Sequence, residues 1–349
     1  MDDNKFAGAG SSLSTSEFGS LSDGSKVMRY LLANGNGILM EVIDFGATIT
    51  SLKIPIDDKH VDVVLGFDKL DDYINAATLP APPHFGAAIG RYAGRIKDGR
   101  FKINGKQYQL NANNGPNTLH GGIKGFDKVL WNVQSVSGRS IELGYLSPDG
   151  DEHFPGDLQV VVRYTLTDQN EIIVEYEAIS SQDTIVNLTQ HSYFNLDGHD
   201  GDVTAQLLKI NSDTILEIDT ANIPSGRLID AASKGFDFTV ERNVPDQIDD
   251  SFVIADITKP AATLRSTENG LQLTVFSDQP SLHIYVGGNL FGKFKGKHES
   301  DYHRHSGICF ESQNYPDAPN QPHFPNSILR KGERYSQKTV WKFDWPNNS

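Results

Sequence analysis

The chain has 349 residues, and its 45 acidic and 31 basic residues leave a formal net charge of −14, with a sequence pI near 5.2. This balance excludes nucleic acid and anionic membranes as expected partners, because binding to either requires a basic patch. The single cysteine, Cys309, excludes an internal disulfide framework.

Three features of the sequence indicate the cellular compartment. The N-terminal segment lacks the charged and then apolar pattern of a signal peptide. No run of residues approaches the roughly 20 apolar positions that a membrane-spanning helix needs. A lone cysteine is typical of a reducing compartment. We therefore expect a cytoplasmic protein whose partner is a small molecule.

The first predicted elements, in chain order, are a leader, a helix and a hairpin. Residues 1–17 are rich in Ser, Gly and Asp without periodicity, so we expect a flexible leader there. Residues 18–349 contain no Pro/Gly/Ser-rich linker, which predicts a single domain. A short helix is predicted over residues 67–76, and Asn104-Gly105 between alternating segments predicts a β-hairpin.

Most of the remaining chain carries strand signals, in which β-branched and aromatic residues alternate with polar ones. Two strands joined by a polar turn are predicted within residues 158–180. Further strands are predicted at 140–147, 203–210, 271–278 and 282–289. Few helix signals and many turns predict an all-β fold, a large antiparallel β-sandwich or barrel.

Three polar residues stand out because they interrupt apolar or glycine-rich stretches. His191 lies in NLTQHSYFNL, Glu311 follows the apolar ICF, and His120 lies in NTLHGG. A buried imidazole or carboxylate costs several kcal/mol unless it is paired. Each residue alone is consistent with a satisfied polar group of the core. Together they fit an acid–base pair, since the reference pKa values are about 6.5 for histidine and about 4.3 for glutamate.

Metal and cofactor chemistry is not indicated. HESDYHRH (298–305) contains three histidines, and His303 and His305 would share a face of a strand. However, the stretch is charged and loop-like, and it lacks the helical i, i+4 histidine spacing of zinc signatures. Nucleotide-binding glycine motifs are also missing from the sequence. We therefore expect neither a metal nor an organic cofactor.

Five motifs, taken together, resemble the aldose 1-epimerases, the galactose mutarotase family. They are GAAIGRYAGRI (86–96), NTLHGG (117–122), SPDGDEHFPGDL (147–158), NLTQHSYFNL (187–196) and ESQNYPDAPNQ (311–321). Their order and spacing are those of the family, over residues 18–343. The resemblance implies the family's large antiparallel β-sandwich, or supersandwich. It also implies that the protein interconverts the α and β anomers of a free hexose such as galactose or glucose, without a cofactor.

The resemblance also implies roles for individual residues. His191 corresponds to the family's histidine that protonates the ring oxygen, and Glu311 to the carboxylate that takes the proton of the C1 hydroxyl. Since the two must exchange roles on ring closure, we expect burial to raise the pKa of Glu311 and neighbours to hold that of His191 near neutral. The implied sugar-binding residues are Arg95, His120, Asp249 and Gln279.

Several points stay open from the sequence. Many relatives have Asn where this chain has Gly94, and the segment 236–247 is shorter than in many of them, so the preferred sugar is undetermined. Asp250 is a rival of Asp249 for the sugar. The alternative functions are a non-catalytic carbohydrate-binding β-sandwich and an epimerase for a different or phosphorylated aldose. We expect a monomer or a weak dimer.

Overall fold

The computed structural model describes residues 13–287 and 291–346, the side chains of 291–294 excepted. Strands dominate this part of the chain, as alternating apolar and polar residues predict. In chain order they are Ser14–Ser20 (β1), Lys26–Ala33 (β2), Leu39–Ile43 (β3), Thr48–Ile56 (β4), Lys59–Asp62 (β5), Ala88–Ile89 (β6), Arg95–Ile96 (β7), Arg100–Ile103 (β8), Lys106–Gln109 (β9), Thr118–Leu119 (β10), Asn132–Val136 (β11), Ser140–Ser147 (β12), Leu158–Leu166 (β13), Glu171–Ser180 (β14), Thr184–Ile185 (β15), Thr189–Gln190 (β16), Tyr193–Phe194 (β17), Leu207–Ile210 (β18), Thr214–Ile218 (β19), Pro224–Asp230 (β20), Arg242–Asn243 (β21), Asp249–Val253 (β22), Ala262–Arg265 (β23), Gln272–Ser277 (β24), Ser281–Val286 (β25), Phe291–Lys295 (β26), Asp301–His303 (β27), Ile308–Gln313 (β28), Ile328–Leu329 (β29) and Arg334–Asp344 (β30).

Helical structure is sparse. The one α-helix within the described ranges is Leu70–Ala77 (α1), which confirms the short helix predicted over 67–76 with a slightly later start. It buries Leu70, Tyr73 and Ala76 on one face. No helix in the described part of the chain is long and apolar enough to cross a membrane. Single 3₁₀ turns occur at Lys97–Gly99, Phe126–Lys128, Asp151–His153, Val203–Ala205, Ala231–Lys234, Lys297–Glu299 and Ala318–Asn320.

Antiparallel pairing organises the strands into large sheets. Among the described residues, the largest sheet has nine strands in the order β11-β12-β13-β14-β30-β24-β23-β18-β21. A six-stranded sheet has the order β17-β28-β25-β22-β19-β20, and a five-stranded sheet runs from β1 to β5 in sequence order. The predicted hairpins are confirmed at β8–β9 and β13–β14. The predicted all-β sandwich of antiparallel sheets is therefore confirmed.

The sheets face one another across a shared apolar core. Strand β13 shows why, because every second side chain from Leu158 to Leu166 is buried. Trp341 of the nine-stranded sheet packs edge-to-face on Phe194 of the six-stranded sheet, with ring centroids 5.0 Å apart. The same contiguous cluster includes Leu32 from the five-stranded sheet. We therefore propose that the strands from β1 onward form one domain.

The structure changes the boundary of the predicted N-terminal leader. Residues 14–17, which we expected in the leader, belong to β1, where Ser14 pairs with Leu31 and Glu17 with Met28. Backbone pairing with β2 orders this polar segment although it has little apolar periodicity. Residues 1–12 of the predicted leader lie outside the described residues.

Candidate active site

A pocket of about 340 Å³ opens beside the six-stranded sheet, which is within the size range of ligand sites. Strands β22, β25 and β28 supply its floor through Asp249, His283 and Glu311. The segments around β7 and β10, together with residues 80–84, supply its walls. Residues distant in sequence therefore converge here, and most of those proposed from the motifs are among them.

Glu311 lies at the base of the pocket on β28, a central strand whose six residues are all buried. Its carboxylate is 2 % exposed, and Oε2 has no hydrogen-bond partner in the described part of the protein. Burial raises the pKa of Glu311 to about 7, although the charge of His283 opposes the rise. A carboxyl group with that pKa both accepts and releases a proton near neutral pH.

His191 lies between β16 and β17, where backbone bonds fix it. Its N–H donates to the Ala87 carbonyl, and its own carbonyl accepts from the Gly86 N–H, each at 3.0 Å. On the ring, Nε2 lies 3.6 Å from Oε1 of Glu311. Nδ1 lies 3.6 Å from Sγ of Cys309. Burial raises the pKa of the Cys309 thiol well above its usual range, so the thiol keeps a proton that it can donate to Nδ1.

The protonation of His191 differs from the expectation that its pKa stays near neutral. Burial lowers the pKa of His191 to about 3, and the charge of His84 adds to the effect. Because Glu311 has a raised pKa, a proton shared by the two resides on the carboxyl group. Desolvation explains this outcome, since it favours the neutral pair over the charged one.

His120 and Arg95 line the same pocket, since Arg95 lies on β7 and His120 directly follows the adjacent strand β10. Nδ1 of His120 accepts the Gly94 N–H at 3.3 Å, so the proton of the neutral ring is on Nε2 and available to a ligand. Nε of Arg95 donates to Oδ1 of Asn114 at 3.1 Å, which orients the guanidinium group.

Gly94 departs from the family pattern for a steric reason. Its φ is +75°, and a Cβ atom at this position would lie 2.9 Å from Cγ of Pro316. The backbone of this chain therefore approaches Pro316 more closely than a residue with a side chain permits.

Alternation along β22 separates the two candidate aspartates. Asp249 lines the pocket, where its Oδ1 accepts from Nε2 of His283 at 2.9 Å and its Oδ2 from Nδ2 of Asn222 at 2.7 Å. Asp250 instead forms an ion pair with Nζ of Lys234 at 2.8 Å and is not among the lining residues. The structure therefore brings Asp249, rather than Asp250, to the pocket.

Gln279, for which the resemblance implies sugar binding, does not line the pocket. It lies in the turn between β24 and β25, where its side-chain amide donates to Oδ1 of Asp278 at 2.7 Å. The residue of this segment that reaches the pocket is His283, which lies within β25. The sequence contained a signal for it, since His283 interrupts an apolar strand in the same way as His191.

His84 is a second pocket residue that the sequence interpretation missed. Its Nδ1 lies 2.8 Å from Oδ2 of Asp127, and both side chains are nearly buried. Its ring centroid is 5.1 Å from that of His120 and 5.6 Å from that of His191. Burial would raise the pKa of Asp127, but His84 and Lys128 hold it below its usual range. The His84–Asp127 pair therefore lies next to His191, the proposed proton donor.

Two clusters in the described part of the chain have metal-ligand chemistry. One consists of His120, His191 and Glu311, and the other of Asp202, His303 and His305. In the first, His120 can bind a metal through Nε2 only by giving up the hydrogen bond that Nδ1 accepts. In the second, His303 is already paired with Asp202 at 3.1 Å, and both are largely exposed. Neither donor set is arranged to favour a metal.

Comparisons with known proteins agree with the site. The family described as Aldose 1-epimerase matches residues 28–342. The galactose mutarotase of Bos taurus is 39 % identical over 349 residues, covering 95 % of this chain and 98 % of the relative. The galactose mutarotase of Homo sapiens is 39 % identical over 344 residues, with coverage of 95 % and 98 %. A crystal structure of a GalM/aldose epimerase homologue from C. elegans superposes with a TM-score of 0.85 at 31 % identity, covering 91 % of this chain and 98 % of that chain.

Proposed function

The chain belongs to the aldose 1-epimerase family, and we propose that His191 and Glu311 carry its mutarotase reaction on free hexoses such as galactose and glucose. The observation that supports this assignment is the approach of Nε2 of His191 to Oε1 of Glu311, 3.6 Å apart at the base of the pocket. A proton donor and a proton acceptor are thus available to one bound sugar ring.

The reaction needs one proton to leave the sugar and one to enter it. Glu311 takes the proton of the C1 hydroxyl, the C1–O5 bond breaks, and His191 gives a proton to O5. The product is the open-chain aldehyde, and rotation about the C1–C2 bond presents its other face. Closure reverses each step, so no free alkoxide accumulates. Each positioned proton transfer contributes roughly 10²–10⁴-fold to the rate.

The pair must therefore hold one mobile proton. The reacting form has Glu311 ionised and His191 protonated, and ring opening converts it into a neutral acid and a neutral imidazole. This second form is the one that burial favours, through the pKa shifts of both residues. The resting protonation state of the pair is therefore the one that accompanies the ring-opened aldehyde.

Binding of a neutral sugar fits the polar groups around the pair. Vicinal hydroxyl groups both donate and accept hydrogen bonds. Arg95 and Nε2 of His120 offer donors, and Asp249 offers an acceptor. We assign these three residues to sugar binding.

The alternative functions receive less support. Arg95 is the only Arg or Lys among the pocket-lining residues that the structure describes. Arg91 donates instead to Ser147 and to backbone carbonyls, including that of Gly156 at 2.8 Å. A phosphorylated aldose would therefore meet one guanidinium group and the carboxylate of Asp249. A non-catalytic sugar-binding module would have no need for the buried pair.

We propose that the enzyme acts as a monomer or weak dimer in the cytoplasm, where the buried free thiol of Cys309 stays reduced. Light scattering across a concentration series tests the oligomeric state.

Polarimetry tests the function. Freshly dissolved α-D-galactose and α-D-glucose are followed with the wild type and with Glu311→Gln in a weakly catalytic buffer. We expect the wild type to accelerate the decay of rotation and the variant to lose this acceleration while still binding sugar. A variant with a near-normal rate would remove Glu311 as the base, and a wild type without activity on either sugar would contradict the proposed substrates.

A further inference from the structure

His283 has no role in the proton transfers described above, yet it lies beside the residue that begins them. In the antiparallel pairing of β22, β25 and β28, Ser251 is directly opposite His283, and His283 is directly opposite Glu311. Side chains directly opposite one another have Cβ atoms about 4.5–5.5 Å apart. The three side chains therefore form a row across the floor of the pocket, with the histidine in the centre.

Both nitrogens of the His283 ring meet oxygen atoms. Nε2 lies 2.9 Å from Oδ1 of Asp249, and Nδ1 lies 2.9 Å from Oγ of Ser251. A cationic imidazole donates from both nitrogens, and this arrangement satisfies both donors. Burial lowers the pKa of His283, but the hydrogen bond and charge of Asp249 outweigh burial and hold the pKa above its usual value.

We propose that the partly buried ion pair of His283 and Asp249 is a positioning device, which holds a positive charge beside Glu311 and sets the pH at which the His191–Glu311 pair loses its working proton. This inference rests on the proposed mutarotase function. It assigns His283 to the control of the base rather than to chemistry on the sugar.

The groups that face Glu311 show why His283 is suited to this role. His191 approaches from the β16–β17 segment, Asp249 from β22 and Arg95 from β7. Burial and the negative charge of Asp249 raise the pKa of Glu311, and the positive charges of His283 and Arg95 lower it. A unit charge on a neighbouring side chain inside a protein shifts the pKa of a carboxyl group by about one unit or more.

His283 differs from Arg95 because its charge can be removed without losing a guanidinium contact to the sugar. Its ring is held by Asp249 on one side and Ser251 on the other. A neutral residue at this position therefore leaves Asp249 uncompensated, and Glu311 retains its proton to higher pH.

The test compares the pH dependence of kcat/KM for the wild type, His283→Gln and His283→Lys, with the exposed His303→Gln as a matched control. Gln removes the charge, and Lys restores it in a different shape. We expect the alkaline limb of His283→Gln to move upward by about one pH unit. His283→Lys and the control should stay close to the wild type. An unshifted limb in His283→Gln, or an equal shift in His283→Lys, overturns the proposal.

A second measurement does not depend on turnover. The carboxyl ¹³C resonance of Glu311, assigned by its loss in Glu311→Gln, is titrated in the wild type and in His283→Gln. We expect the midpoint to rise in the variant by the same amount as the kinetic limb, and an unchanged midpoint overturns the inference. Failure of the wild type to accelerate mutarotation would instead concern the proposed function, so the two failures are distinguishable.

Discussion

Nε2 of His191 lies 3.6 Å from Oε1 of Glu311, and their side chains are only 5 % and 2 % exposed. Two groups this close titrate as a pair rather than separately. Burial and the charge of His84 lower the pKa of His191 to about 3, and burial raises the pKa of Glu311 to about 7. Between these values the pair holds one mobile proton, which is the number that ring opening requires.

The pH dependence of the reaction follows from this count. As the pH rises through the pKa of Glu311, the pair loses its last mobile proton and has none to give to O5. We expect kcat/KM to be nearly flat from about pH 4 to 6 and to fall about tenfold per unit well above pH 7. Polarimetry extrapolated to zero buffer concentration measures this, and a kcat/KM that rises through pH 7 contradicts the one-proton pair.

His191→Asn tests the proposed acid. Asparagine keeps a polar side chain of similar reach but has no proton to transfer to O5. We expect kcat to fall roughly 10²–10⁴-fold while KM changes little. The exposed His60→Asn serves as the matched control and should keep the wild-type rate. A loss of less than about tenfold in kcat would assign the protonation of O5 to another group.

His84→Gln tests the influence of the His84–Asp127 pair on the acid. Since the charge of His84 helps to lower the pKa of His191, its removal should raise that pKa. In the wild type, kcat/KM should fall at low pH as His191 is protonated, near its pKa of about 3. We expect this fall to begin at a higher pH in the variant. If His84 only supports the pocket wall, the rate will decrease at every pH and the pH of this fall will not change.

Strand patterns and motifs in the sequence were sufficient to predict the fold and several of the residues that line the pocket. Alternation predicts a strand such as β13 because the period of two is a property of consecutive residues. Four pocket residues beyond Glu311 were also found from motifs, namely His191, Arg95, His120 and Asp249. The distances between them could not be predicted, since they depend on the pairing of β7 with β10 and of β25 with β22 and β28.

The position of Gln279 outside the pocket and the omission of His84 have the same physical origin. Gln279 and His283 are four residues apart, and which one reaches the pocket depends on where the turn ends and β25 begins. His84 meets Asp127 across 43 residues of sequence, with a left-handed backbone at φ +55°. The low pKa of His191 likewise depends on burial, which no local pattern specifies.

Gly94→Asn tests the steric account of the departure from the family. The backbone there has φ +75°, and a Cβ atom would lie 2.9 Å from Cγ of Pro316. We expect the substitution to lower the free energy of unfolding by about 1–3 kcal/mol, because Asn tolerates the left-handed region but not the contact. Chemical denaturation measures this, and adding Pro316→Ala should recover part of the loss. Equal effects with and without Pro316 would rule out the clash.

Glu311→Gln should stabilise the protein at alkaline pH while removing its activity. The pKa of Glu311 rises from about 4.5 to about 7 on burial, so between these values the native state binds more protons than the unfolded state. Its stability therefore falls as the pH rises through this window, by about 3 kcal/mol at 1.36 kcal/mol per unit. Glutamine stays neutral and avoids this loss. We expect unfolding free energies of wild type and variant to agree near pH 4 and to differ by about 3 kcal/mol at pH 8. The exposed Glu268→Gln should show no such difference, and a stability gain independent of pH would show that the Glu311 carboxylate is not strained by burial.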